Sequence, residues 1–116
     1  MMSEPTIDHA VFEALKETTG AEFALELVDT FLQEAPAMLR DLRDALAAQD
    51  GDKFRRVAHS LKSNSNTFGA LALGAKAREV EMASLSKLPS NSEELVSALE
   101  AEYSRAAAAL SELRHA

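Results

Sequence analysis

Along most of this chain, apolar side chains return every third or fourth residue, the spacing that gathers them on one face of an α-helix. The segment from Ala21 to about Gln49 shows it best. There Ala24, Val28, Phe31, Ala35, Met38, Leu42 and Ala45 alternate steps of four and three, the seam of a helix packed in a bundle. Pro36 lies inside this run and removes the hydrogen bond to the Leu32 carbonyl. A kink and not a break is expected, because the seam stays in phase on both sides. A shorter helix precedes it, with Ile7, Val11, Phe12 and Leu15 on one face, Thr6 or Asp8 as cap and Gly20 in its C-terminal turn. After the turn QDGD, with Asp50 or Asp52 as cap, a third helix carries Phe54, Val57, Ala58, Leu61, Ser65 and Phe68 on one arc and ends at Gly69.

A fourth helix is predicted from about Ala70 to Lys87, with Leu73, Ala77, Val80 and Ser84 in its seam. The stretch LPSNSEE closes it, and Ser90 with Glu93 makes a capping-box pattern for a fifth helix. That last helix, about Ser92 to Arg114, places Val96, Leu99, Tyr103, Ala106, Leu110 and Leu113 three or four apart. Met38 and Met82 are read as packing residues. The pattern predicts an all-α fold: an antiparallel up-down-up-down four-helix bundle with a short extra N-terminal helix laid across one end, residues 1–116 forming a single domain.

Composition narrows the function classes. At 116 residues the chain has room for one core, and no stretch of eighteen apolar residues could span a bilayer. The opening is acidic (Glu4, Asp8, Glu13, Glu17), the reverse of a secretion signal, so a cytoplasmic location is expected. The initial Met and this acidic start are expected of a whole protein and not an excised module. Without cysteine there is no thiolate chemistry. A net charge of −7 argues against nucleic-acid or anionic-membrane partners, which are bound through basic patches.

The cations are not spread evenly. From Lys53 to Arg78 there is no Asp or Glu, while Lys53, Arg55, Arg56, Lys62, Lys76 and Arg78 supply six of the 12 lysines and arginines. Inside this window lies HSLKSNSNTFG, residues 59–69. At about 100 degrees per residue, His59 sits about 150 degrees from the centre of the apolar arc and faces water. Arg55, Arg56, Lys62, Ser63 and Asn66 surround it. A run such as SNSN is a poor helix filler, costing roughly 0.5 kcal/mol per residue against alanine, which suggests that small side chains are needed beside the imidazole. Neither His9 nor His115 has such surroundings, and Arg55, Arg56, Lys62 and Ser63 are not metal ligands, so no metal site is expected at His59.

The segment AHSLKSNSNTFGA, from Ala58 to Ala70, resembles the signature of histidine-containing phosphotransfer (HPt) domains: His, any residue, Leu, Lys, small residues, then Gly ten positions after the His. The family consists of four-helix bundles that carry a phosphoryl group on one exposed histidine, in relays with receiver-domain aspartates. The resemblance implies that His59 is phosphorylated, that Lys62 neutralises phosphoryl oxygens and that Gly69 forms the turn into the next helix. Many members have glycine where this chain has Ser63.

An antiparallel hairpin about Gly69 brings Arg78 and Glu81 level with His59. In the resembling family the residue at the place of Glu81 often accepts a hydrogen bond from the imidazole, which would leave Nε2 outward as nucleophile. The alternative is an ordinary surface acid paired with Arg78 three residues before it. Arg55, Arg56, Ser63, Asn66 and Arg78 are the expected docking residues, and Lys62→Ala is expected to leave the fold nearly intact, at about 0 to 1 kcal/mol for an exposed charge.

At neutral pH an imidazole with the ordinary pKa near 6.5 is largely an uncharged nucleophile. No glycine-rich phosphate loop, H-E-x-x-H or serine-histidine-acid pattern accompanies it. The implied protein is therefore a monomeric carrier and not an enzyme, without a cofactor of its own. The partner, a receiver domain of a response regulator or hybrid histidine kinase, would supply Mg²⁺ and most of the catalysis. Two other readings stay open: a helical adaptor that docks a partner through the same basic face without phosphorylation, and a substrate of a chemotaxis-type histidine kinase.

Overall fold

In the computed structural model, which describes residues 6–85 and 87–114, the helices are α1 (His9–Thr19), α2 (Ala21–Ala47), α3 (Gly51–Thr67), α4 (Leu71–Ala83) and α5 (Ser92–Arg114). Helices α2 to α5 pack each against the next, and α5 returns to α2, so the four form a closed antiparallel bundle with α1 against α2 and α3. All regular structure among the described residues is helical. His115 lies outside them.

The apolar seams meet in one core. Val28 and Leu42 of α2, Phe54 and Leu61 of α3, Leu73 and Val80 of α4, and Val96, Leu99 and Leu110 of α5 are fully enclosed. One seam position moves: Leu39, and not Met38, takes the buried place on α2, while Met38 packs only partly against the core. The seam is back at its predicted positions by Leu42 and Ala45, so the change is confined to one turn, where Leu39 lies between Ala35 and Leu42 on the core face. Helix α2 runs through Pro36, and the Leu32 carbonyl that the proline leaves without its helical donor has Tyr103 Oη at 3.5 Å. Arg43 clamps α2 to α5 through Glu93 (2.6 Å), Glu100 (2.8 Å) and Ser97 (3.2 Å).

Caps settle the open choices. Asp8 accepts from the Ala10 and Val11 amides and Asp50 from that of Lys53, so Thr6 and Asp52 are not the caps. Helix α4 stops at Ala83, four residues short of the predicted Lys87. The Ser84 hydroxyl donates to the Val80 and Glu81 carbonyls, and its amide bonds the Glu81 carbonyl, which tightens the last turn. Met82, inside α4 but off its buried face of Leu73, Ala77 and Val80, is half exposed and not a packing residue. At α5 the first helical bond runs from the Leu95 amide to the Asn91 carbonyl, which puts Asn91 at the capping position and shifts Ser90 out of a capping box.

Gly69 fixes the hairpin that carries the site. Its φ of +78° is in the left-handed region, its carbonyl accepts the Asp8 amide at 2.7 Å, and a Cβ added there would lie 2.6 Å from the Asp8 carbonyl oxygen. The same residue thus turns α3 into α4 and anchors the start of α1. Gly69→Ala should lose about 2 kcal/mol or more, roughly 8 °C in melting temperature. A variant that melts with the wild type would contradict this account of the turn.

Candidate phosphotransfer site

Helices α3 and α4 run antiparallel about Ala70 in a register that sets His59 opposite Glu81 and Asn66 opposite Gly74. His59 is exposed, at 56% of its side-chain surface, whereas Glu81 retains 13%. The Nδ1 of the imidazole lies 2.7 Å from Glu81 Oε2, so in the neutral ring the Nδ1 proton is donated to the carboxylate and Nε2 keeps its lone pair. Glu81 is therefore no ordinary surface acid, and Arg78 has no ion-pair partner among the described residues.

Lys62 reaches the second carboxylate oxygen, with Nζ 2.9 Å from Oε1 and 24% of its side chain exposed. Oε1 is enclosed, and the Lys62 ammonium is the cation set against it. One partly buried carboxylate consequently orients the imidazole and parks the lysine beside it.

Burial alone would raise the Glu81 pKa. The Lys62 and His59 contacts outweigh it and hold the carboxyl below its ordinary value. A carboxyl whose pKa is lower folded than unfolded adds stability above the unfolded value of about 4.3, and that contribution is lost as pH falls through the folded value. Glu81→Gln keeps an acceptor for Nδ1 but removes the titration, so its stability should fall less steeply than that of wild type below about pH 4. Parallel acid limbs in urea titrations would refute this linkage.

The expected docking residues split into two flanks. Toward α4 lie Lys62, Asn66 and Arg78, around a notch of about 310 Å³ floored by Gly74 and Ala75. Toward α2, Lys53, Arg56, Val57 and Ser60 face Met38 and Asp41 across a groove of about 400 Å³. Arg55 stays near its own helix, 3.8 Å from Asp52, and the Arg56 Nε donates to the Asp52 carbonyl at 3.3 Å. Ser63 is exposed one turn after His59. Arg78 sits beside Lys62 and Asn66, about a turn from the level of His59 itself.

Two participants escape the sequence pattern. Asp41 enters the basic window from α2, which residue spacing along α3 cannot reveal. Gly74 lies inside a helix, where glycine is a weak point, yet here it makes room: a Cβ would sit 2.1 Å from Asn66 Oδ1. No group of three or more metal-ligating side chains occurs among the described residues. No helix there is long and apolar enough to cross a membrane.

Histidine-containing phosphotransfer protein B of Pseudomonas aeruginosa PAO1 superposes with a TM-score of 0.90 over 97% of both chains, at 29% identity. The HPT domain of a sensor hybrid histidine kinase from Shewanella shares the fold, with a TM-score of 0.74 over 93% of this chain and 92% of that one, at 18% identity. Multistep phosphorelay regulator 1 of Schizosaccharomyces pombe is 35% identical over 66 residues, 54% of this chain, and this chain spans 22% of that protein's length. Residues 26–109, which include all of α3 and α4, match the model of the Hpt domain. The chain belongs to the Hpt domain family.

Proposed function

We propose that this protein is a phosphorelay carrier that takes a phosphoryl group onto Nε2 of His59 from a receiver-domain aspartate and passes it to a second receiver domain. The observation that carries the proposal is the 2.7 Å contact between Nδ1 of an exposed imidazole and the largely buried Glu81 carboxylate. It points the lone pair of Nε2 outward, away from the bundle.

In the forward step Nε2 attacks the phosphorus of the aspartyl phosphate. The N–P bond forms as the P–O bond to the aspartate breaks, and the aspartate leaves as its carboxylate. The imidazole becomes a phosphoimidazolium whose Nδ1 proton stays on the Glu81 hydrogen bond, so the carboxylate meets the positive charge that develops. Lys62, paired with Glu81 at 2.9 Å in the free protein, turns toward the phosphoryl oxygens. Return transfer reverses each bond change.

The receiver domain, of a response regulator or a hybrid histidine kinase, contributes the aspartate and its Mg²⁺. This chain contributes position and charge, as a carrier and not an enzyme, acting as a cytoplasmic monomer with no nucleic-acid or membrane partner.

The test is transfer itself. A phosphorylated receiver mixed with the protein should leave an acid-labile, alkali-stable label on it, absent from His59→Gln. Equal labelling of His59→Gln would move the acceptor elsewhere. No labelling of the wild type by any receiver would favour the adaptor reading, and labelling only by a chemotaxis-type kinase would replace the donor.

A further inference from the structure

The notch on the α4 flank of His59 has a one-sided chemistry. Lys62, Asn66 and Arg78 line it together with Leu71, Gly74 and Ala75, and none of these is an acid. Glu81 is occupied by His59 and Lys62, and Glu79, the other acid of α4 nearby, pairs with Lys76 at 3.3 Å. The Arg78 guanidinium and the Asn66 amide make no hydrogen bond or ion pair among the described residues, so their donors are unspent. Glycine at residue 74 lets the Asn66 amide lie against α4: a Cβ there would overlap Asn66 Oδ1 at 2.1 Å and push that side chain outward into the hollow.

From these observations we infer that the notch receives a carboxylate side chain of the docking receiver domain, with Arg78 as its principal anchor. Five guanidinium donors in a planar fork fit a carboxylate in bidentate fashion, and the Asn66 amide adds another donor at the rim. The inference rests on the phosphorelay reading and deepens it. It assigns the notch to partner recognition, so Arg78 governs how tightly and how fast the receiver docks more than the chemical step at Nε2.

The experiment measures phosphoryl transfer from the phosphorylated protein against increasing concentrations of the receiver domain that accepts fastest in a panel of purified receivers. Arg78→Ala should raise the half-saturating receiver concentration about tenfold, with a smaller change in the saturating rate, and the gap from wild type should narrow as salt screens the contact. Gly74→Ala, which fills the notch without removing charge, should move it in the same direction. Lys76→Ala removes an equal charge from the other side of α4 and should stay within about twofold of wild type. Arg78→Glu should be rescued when one surface Asp or Glu of the receiver is replaced by Lys.

A half-saturating concentration within twofold of wild type for Arg78→Ala overturns the inference. So does an equal rise in Lys76→Ala, or failure of every receiver acid-to-Lys change to rescue Arg78→Glu. If phosphoramidate, a small donor that needs no docking, leaves His59 of the wild type unlabelled, the phosphorelay reading itself falls and takes the notch with it. That outcome is distinct from an insensitive Arg78 on a labelled protein.

Discussion

Ser63→Arg is expected to slow phosphoryl exchange with receiver domains about a hundredfold or more while changing stability by less than about 0.5 kcal/mol. In-line transfer requires the aspartyl phosphorus to come within bonding reach of Nε2, so the receiver surface must lie directly on α3 around His59. Ser63 is exposed one helical turn further along the same face, outside the buried set Phe54, Ala58, Leu61 and Ser65. An arginine there would stand several ångströms into the volume the partner must occupy, and its charge would leave the helix intact. Ser65, two residues on, could not take the same change, because it is buried with its hydroxyl on the Leu61 carbonyl at 2.6 Å. Rapid-quench transfer assays and thermal melts on Ser63→Arg separate docking from folding. Normal transfer in that variant would refute the argument that the small residues exist for close approach.

Lys62→Ala is expected to cut transfer about tenfold, shorten the life of the phosphorylated form and, against the sequence expectation, cost about 1 to 3 kcal/mol of stability. The sequence places Lys62 on a solvated face, where an ion pair adds at most about 1 kcal/mol. In the structure its partner is a carboxylate with 13% exposure, so removing the ammonium leaves Oε1 enclosed and without its cation, while Oε2 keeps only the His59 bond. Replacing Glu81 by Gln as well should recover much of the lost stability without restoring transfer, a coupling that a double-mutant cycle reads directly. Additive losses in the two single variants would show that the pair does not act as a unit.

What could be read from the chain follows from the range of the interactions. The helices, the exposed face of His59 and the turn at Gly69 depend on neighbours within about four residues, and hydrophobic period and turn chemistry report those. Glu81 became legible because a tight hairpin converts separation along the chain into height, so one turn residue fixes the register of both helices. The Arg43 clamp joins residues fifty or more positions apart and carries no local signal. Its partner Glu93 fits half of a capping box in the sequence, because pattern alone cannot distinguish two uses of an acid in a first turn. The sequence extends α4 to about Lys87 because Ser84 continues the spacing of Leu73, Ala77 and Val80, whereas in the fold the Ser84 hydroxyl ends the helix and Leu88 packs against the core from the following loop. Gly74 carries no signal in the sequence, since its value lies in what it omits, and only the opposite helix shows that Asn66 needs the room.

The central claim, that His59 carries the phosphoryl group and that Glu81 decides which ring nitrogen bears it, is tested most directly by phosphorus NMR after labelling the protein with phosphoramidate. The geometry predicts a single phosphohistidine resonance, bonded to Nε2 of His59, with the Nδ1 proton retained and shifted downfield by the Glu81 carboxylate. In Glu81→Ala the Nε2 preference should weaken and labelling slow. A phosphoryl group found on Nδ1 of His59, on His9, or on no histidine at all in the wild-type protein would contradict the account.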